Sequence, residues 1–284
     1  MMLLEQKYDI WIGNSRGNIY SFSHVDMVNH NPNNYSSAFW DFSWDELGKY
    51  DLPATLDFIK GKTGFPKIKY VCHSQGCTML FALAFERPDY INENIDLVSA
   101  FAPAVHAYYQ VSVGVDLFRL AHFGENFIGG GLKNLFAQSA YQQISEYVAR
   151  VAPNVWMLAI NFLAGWTDKF HIDTKRLHVL AAHEPGGSSI FAYNHFVQGV
   201  YNSTVQWYDF GREGNIRKYG QPTPPVYNVA NLKKLNVRWY FVYGEKDSMV
   251  APKGMRRLFS EMREGYYEEQ MMMDANHLDV CWSD

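Results

Sequence analysis

Apolar positions in this chain fall into short blocks of two kinds, compact runs and helical faces. Tyr8 to Gly13 is a compact apolar run closed by Asn14-Ser15-Arg16-Gly17-Asn18, a cluster of turn formers, and it predicts a buried strand. In Ser43-Trp44-Asp45-Glu46 a serine stands three residues ahead of a glutamate, the capping-box arrangement in which each side chain serves the other's backbone N–H. It opens a helical pattern through Leu47, Leu56, Phe58 and Ile59 to Gly64, and Pro53 predicts a kink or restart near Asp51. Ile68 to Val71 predicts the next strand. A helix follows from Cys77, apolar on nearly every side through Met79, Leu80, Phe81, Ala82, Leu83 and Phe85 and therefore buried, and Pro88 stops it. Ile95 to Phe101 predicts a third strand.

Strand, helix, strand, helix, strand is the rhythm of an α/β fold with a mostly parallel sheet covered by helices on both faces. The rhythm breaks at about residue 107 and resumes near 230, with a strand at Val237 to Tyr243, a helix at Pro252 to Arg263 and a last strand at Tyr267 to Met273. This divides the chain into 1–106 and 231–284, two parts of one core, and 107–230, an insertion of helices and loops rich in Phe, Tyr and Trp. An insertion between consecutive strands of such a sheet lies over their carboxyl ends, where these sheets bind ligands, so 107–230 is a candidate lid. Its aromatics Trp156, Phe162, Trp166 and Phe170 are read as core residues rather than substrate contacts.

Composition narrows the function. The 284 residues are 48% hydrophobic and 19% charged, as in a folded globular protein, and a net charge of -4 gives no footprint for nucleic acid. The 16% aromatic content favours a protein that handles apolar material. The three cysteines, Cys72, Cys77 and Cys281, are odd in number and without paired spacing, which argues against a disulfide framework. No metal-ligand pattern occurs, so neither a metal nor a cofactor is expected. Met1 to Lys7 is too short and polar for a signal peptide, and the longest apolar stretch, Val155 to Trp166, is too short to span a bilayer.

The candidate chemistry centres on Ser74. An apolar run ends in Cys72-His73-Ser74-Gln75-Gly76 and a helix starts at once, the layout of a sharp strand-to-helix turn that holds a serine hydroxyl clear of the backbone. Such a turn needs small neighbours, a demand that Gly76 meets better than Cys72. Asp247 and His277 each follow a predicted strand, and the chain order Ser, Asp, His is that of the α/β-hydrolases. An imidazole makes a serine hydroxyl nucleophilic by taking its proton, and a carboxylate fixes the tautomer of that imidazole. Asp279 and Glu245 are rival acids, Asp279 lying too near His277 in sequence to reach its far nitrogen. The backbone N–H of Gln75 is one expected oxyanion donor. His73 should point away from Ser74 and act in packing or hydrogen bonding; His106, His183 and His195 are read as structural.

Longer motifs now point to a family. Tyr8-Asp9-Ile10-Trp11-Ile12-Gly13-Asn14-Ser15-Arg16-Gly17-Asn18, Lys49-Tyr50-Asp51-Leu52-Pro53-Ala54-Thr55, His73-Ser74-Gln75-Gly76 and Asn276-His277-Leu278-Asp279 resemble the acid lipases, the gastric and lysosomal enzymes. The resemblance implies an α/β-hydrolase fold with a helical lid, Ser74 as nucleophile, Asp247 as acid and His277 as base. It implies triacylglycerols or cholesteryl esters as substrates, met at a lipid–water interface, and a secreted or lysosomal location. The family begins upstream with a signal peptide, further strands and a His-Gly loop that supplies the second oxyanion donor, segments not found in this chain. The expectation is therefore that either Tyr8–Gly13 pairs directly with Ile68–Val71 or the chain is a fragment of a longer protein. Loss of one oxyanion donor typically costs about 100- to 1,000-fold in rate, which makes a catalytically impaired, lipid-binding relative the alternative reading.

Overall fold

Four parallel strands carry the site. The computed structural model describes residues 2–34, 36–120, 131–136, 139–168 and 172–283. The strands β1 (Ile68–His73), β2 (Ile95–Phe101), β3 (Arg238–Gly244) and β4 (Tyr267–Met272) stand side by side in chain order, each parallel to the next. Their registers set Cys72 beside Ala100, Ala100 beside Phe241 and Phe241 beside Glu269, so all four carboxyl ends open on one edge.

Tyr8 to Gly13 is not a strand. Its residues are exposed, Ile12 at 86%, and no ladder joins them to β1. The run instead lies against the helix α1 (Leu52–Thr63), where the Trp11 ring meets Phe58 edge-on at 6.0 Å. Apolar character drives a segment onto a surface, whereas strand formation also needs a neighbouring ladder. At the outer edge of the sheet β1 leaves Lys69 and Val71 exposed.

The capping box forms as read. The Ser43 N–H donates to Glu46 Oε2 at 2.9 Å, and Ser43 Oγ accepts from the Asp45 N–H at 3.1 Å. A π-helical turn, Leu47–Asp51, then precedes α1, whose first turn contains Pro53 and whose end is the left-handed Gly64. Gly48 in that turn is pressed against α2 (Gln75–Glu86): a Cβ there would lie 2.6 Å from the Met79 carbonyl.

Every residue of α2 from Cys77 to Phe85 is buried. Phe81 stacks on Trp239 at 5.0 Å and Trp239 on Phe241 at 5.6 Å, tying α2 to β3. Each such aromatic side chain contributes about 2–3 kcal/mol of burial. The short helix α3 (Pro88–Asn94) leads into β2.

Between β2 and β3 run α4 (Val113–Leu120), α5 (Ser139–Val151), α6 (Pro153–Ala164), α7 (Ile190–Tyr201) and α8 (Gly211–Tyr219). Ala149, Trp156, Met157, Ile172, Leu177 and Ala181 form a second, smaller apolar cluster there. Trp156 is a core residue, Trp166 is 55% exposed and hence is not, and Phe170 lies outside the described residues. The helix α9 (Pro252–Glu261) separates β3 from β4. Among the described residues no helix is long and apolar enough to cross a membrane.

Candidate active site

Ser74 sits between β1 and α2 with φ 49° and ψ -118°, a left-handed backbone that a side-chain-bearing residue rarely adopts. The turn is held on both sides. The Ser74 N–H donates to the Phe101 carbonyl at 3.0 Å, and the Ser74 carbonyl accepts from the N–H groups of Cys77 at 3.0 Å and Thr78 at 3.1 Å. Gln75 begins α2, so its N–H is one of the first-turn donors that an α-helix leaves without an intrahelical acceptor.

A disulfide closes this turn, linking Cys72 to Cys77 with their Cα atoms 5.1 Å apart. This corrects the expectation from the odd cysteine count. Five positions of sequence are folded back on themselves at Ser74, and that reversal, which no spacing rule anticipates, makes the two side chains neighbours. Cys281 is the free cysteine. Gly76 is less constrained than expected: a Cβ there would meet Cys72 Cβ at 3.7 Å, an ordinary contact.

The structure brings Ser74, Asp247 and His277 together. His277 Nδ1 lies 2.8 Å from Asp247 Oδ2, and Nε2 lies 2.8 Å from Ser74 Oγ. With the Nδ1–H donated to the carboxylate, Nε2 offers its lone pair to the serine hydroxyl. Asp247 is 2% exposed and its other oxygen accepts the N–H groups of Met249 at 2.9 Å and Val250 at 2.7 Å, so the carboxylate is fully engaged. The rival acids face elsewhere. Asp279 Oδ2 accepts the Asn276 N–H at 2.9 Å, and Glu245 Oε2 accepts the Asp274 N–H at 3.2 Å.

The loops bearing Asp247 and His277 come into close backbone contact at Gly244. Gly244 ends β3, and a Cβ on it would lie 2.1 Å from the Ala275 carbonyl, two residues before His277. His73 turns away from Ser74 and its Nε2–H donates to the His277 carbonyl at 2.9 Å. Burial, reinforced by the nearby His277, pushes the His73 pKa down to about 4. That imidazole stays neutral over most of the acidic range.

Ser74 and His277 open into a solvent-connected pocket that encloses about 760 Å³, its open mouth included. Its walls are apolar, from Val115, Phe196, Val197 and Val200 on one side and Val250 and Leu258 on the other. His106 also lines it, its Nε2 2.8 Å from Glu261 Oε2. Behind this cavity is a buried polar cluster. Asp45 accepts from the Tyr227 hydroxyl and from the Tyr208 N–H, and burial raises its pKa to about 7. His195 stacks on Trp44 at 3.7 Å and bonds the Gln206 carbonyl at 2.8 Å; burial pushes its pKa down to about 3. His183 pairs with the Tyr20 hydroxyl on the surface. Among the described residues no group of acidic, His and Cys side chains is arranged to hold a metal ion.

The chain is similar to known proteins along nearly its whole length. The alpha/beta hydrolase fold model matches residues 2–283. Gastric triacylglycerol lipase of Bos taurus is 33% identical over 285 residues, covering 99% of this chain and 69% of that protein. The Homo sapiens gastric triacylglycerol lipase has the same identity and the same coverage. Lipase member K of Mus musculus is 31% identical over 284 residues, covering 98% of this chain and 68% of its own length.

Proposed function

The chain belongs to the alpha/beta hydrolase family and is similar to gastric triacylglycerol lipases, and from that premise we propose a serine ester hydrolase of lipid esters that works through an acyl-enzyme on Ser74. The reading is carried by the continuous line of two 2.8 Å contacts from Asp247 through His277 to Ser74, set at the carboxyl edge of a parallel sheet.

In this mechanism Ser74 Oγ attacks the ester carbonyl carbon as His277 Nε2 takes its proton. Asp247 keeps the imidazole in the correct tautomer and stabilises its cation without itself becoming protonated. The Gln75 N–H, at the positive end of α2, donates to the developing oxyanion. Collapse breaks the bond to the alcohol, which leaves with the proton from His277. Water then attacks the acyl carbonyl carbon as it gives a proton to the same nitrogen; the Ser74 Oγ–acyl bond breaks, His277 returns that proton to Oγ, and the fatty acid is released.

The apolar cavity walls support a fatty acyl chain as the occupant beside Ser74. Residues 107–230 act as the lid: Val115, Phe196, Val197 and Val200 all come from that segment. Triacylglycerols and cholesteryl esters are the substrates we assign, engaged at a lipid–water interface. The Cys72–Cys77 disulfide supports an oxidising compartment, in line with a secreted or lysosomal protein.

Labelling with a fluorophosphonate, followed by peptide mapping, tests this. Modification at Ser74, lost in Ser74→Ala and paired with turnover of an emulsified triacylglycerol, is the expected result. A chain that binds lipid but takes no label at Ser74 would be a lipid-binding relative instead.

A further inference from the structure

The end of α6 is bonded into both loops that carry the acid and the base. The Ala164 carbonyl accepts the Ser248 N–H at 3.1 Å and the His277 N–H at 3.3 Å. Ser248 adjoins Asp247, so one carbonyl spans the two loops. The Leu163 carbonyl takes the Ser248 hydroxyl at 3.2 Å. Gly165, with φ 123°, makes the approach possible: a Cβ there would lie 1.9 Å from the Lys246 carbonyl.

Two buried amides complete the join. Asn276 Nδ2 donates to Asn161 Oδ1 at 3.1 Å and to the Gly165 carbonyl at 3.2 Å. Asn276 Oδ1 accepts the N–H groups of Leu278 at 2.9 Å and Asp279 at 3.1 Å, fixing the turn around His277. Asn161 is 2% exposed and Asn276 1% exposed. An unpaired amide at that depth costs on the order of 1–3 kcal/mol, so the bonds are strongly enforced.

We propose that Asn161 and Asn276 are positioning residues for the reaction at Ser74, holding His277 and Asp247 in register through the end of α6. This rests on the ester hydrolase reading. The alignment of His277 with Ser74 is set by a backbone turn, and Asn161 is the α6 side chain hydrogen-bonded to the Asn276 amide that fixes that turn. A displacement of that turn by a fraction of an ångström lengthens the Nε2 contact with Ser74, and errors of about 1 Å at reacting groups cost on the order of 100-fold in rate.

Two isosteric variants separate positioning from mere packing. Asn161→Asp keeps the oxygen that accepts from Asn276, whereas Asn276→Asp keeps the acceptor for Leu278 and Asp279 but sets a carboxylate against Asn161 Oδ1 and the Gly165 carbonyl. Both bury one similar charge. Fluorophosphonate labelling of Ser74, measured well below the melting midpoint, is expected to fall by at least about 10-fold in Asn276→Asp and in the apolar Asn161→Leu, and to be rescued at least in part in the conservative Asn161→Asp. The KM for a soluble short-chain ester should be unchanged in all three. Equal losses in the two aspartate variants, or none in Asn276→Asp, overturn the proposal.

A readout without activity keeps the two readings apart. The low-field NMR proton of the His277–Asp247 bond is expected in wild type and Asn161→Asp, and shifted or lost in Asn276→Asp and in the apolar Asn161→Leu. Its persistence unchanged in both of the latter refutes the positioning role even where Ser74 proves unreactive. An unlabelled wild type that shows the expected resonance pattern counts against the hydrolase reading alone.

Discussion

His73 holds His277 by its backbone: the Nε2–H of one imidazole donates to the carbonyl of the other residue at 2.9 Å, and the rings lie 4.8 Å apart. The residue before Ser74 thus anchors the loop whose side chain reaches back to Ser74. Segments about 200 positions apart are locked by a reciprocal pair of contacts, one through a side chain and one through the main chain.

This anchor gives a pH-dependent contribution to stability. The folded pKa of His73 is about 4, below the ordinary 6.5, because burial disfavours its cation. A depressed base contributes stability that is fully present above pH 6.5 and is lost as pH falls through 4, where only the unfolded chain binds the proton freely. The difference corresponds to about 3 kcal/mol. His73→Gln, which keeps an N–H donor but does not titrate, is expected to lose less stability than wild type between pH 6.5 and 4. Urea denaturation at each pH measures it, and parallel curves would refute it.

Asp45 works in the opposite sense. Its folded pKa of about 7 lies above the ordinary 3.8, with burial as the main cause. A raised acid contributes stability that is fully present below pH 3.8 and lost as pH rises through 7. Replacing Asp45 by Asn should make the slope of stability against pH more positive across pH 4–7, by up to about 1.4 kcal/mol per pH unit, the linkage of one proton. Thermal midpoints of variant and wild type across that range give the slopes, and equal slopes would exclude a raised pKa at Asp45. His195, buried 3.8 Å from Asp45 Oδ2 and with a pKa of about 3, adds a loss of stability toward acid pH, like His73.

What could be read in the residues alone depended on whether the signal was local. Ser43 and Glu46 satisfy each other within one turn, and Ile95 to Phe101 is bounded by its own neighbours, so both were legible. The meeting of Ser74, Asp247 and His277 was legible because parallel strands deliver successive loops to one edge. Tyr8 to Gly13 was not, since its apolar pattern says nothing about which ladder is open to it. The Asn161–Asn276 contact was hidden for a related reason: it joins residues 115 positions apart, and asparagines are common in ordinary turns. The Cys72–Cys77 pairing is not visible in the cysteine count, because it depends on the chain reversal at Ser74 that makes the two side chains neighbours.

That disulfide makes a countable prediction. Thiol titration of the denatured, unreduced protein should find Cys281 alone, with Cys72 and Cys77 appearing after reduction. So short a closed loop stabilises by about 2 kcal/mol in the chain-entropy view, so Cys72→Ala/Cys77→Ala should lower the denaturation midpoint measurably. Labelling of Ser74 should change less than about 3-fold, because backbone bonds from Ser74 to Phe101, Cys77 and Thr78 also hold the turn. A large loss of labelling with an unchanged midpoint would contradict this division of labour.

The sharpest contrast concerns two glycines on either side of the site. Gly76 is the glycine of the Ser-Gln-Gly turn, yet an added methyl would touch only Cys72 Cβ at 3.7 Å. Gly244 belongs to no recognised motif, yet a methyl there would penetrate to 2.1 Å from the Ala275 carbonyl and 2.7 Å from its carbon. Backbone cannot retreat from such an overlap as a flexible side chain can, so Gly244→Ala must push β3 and the His277 loop apart. The expected outcome is near-wild-type folding and labelling for Gly76→Ala, within about 3-fold, against misfolding or at least about a 100-fold loss for Gly244→Ala. Circular dichroism melts and fluorophosphonate labelling of both variants decide it. If Gly76→Ala were the more damaging, the turn at Ser74 would have to be tighter than the 3.7 Å contact implies.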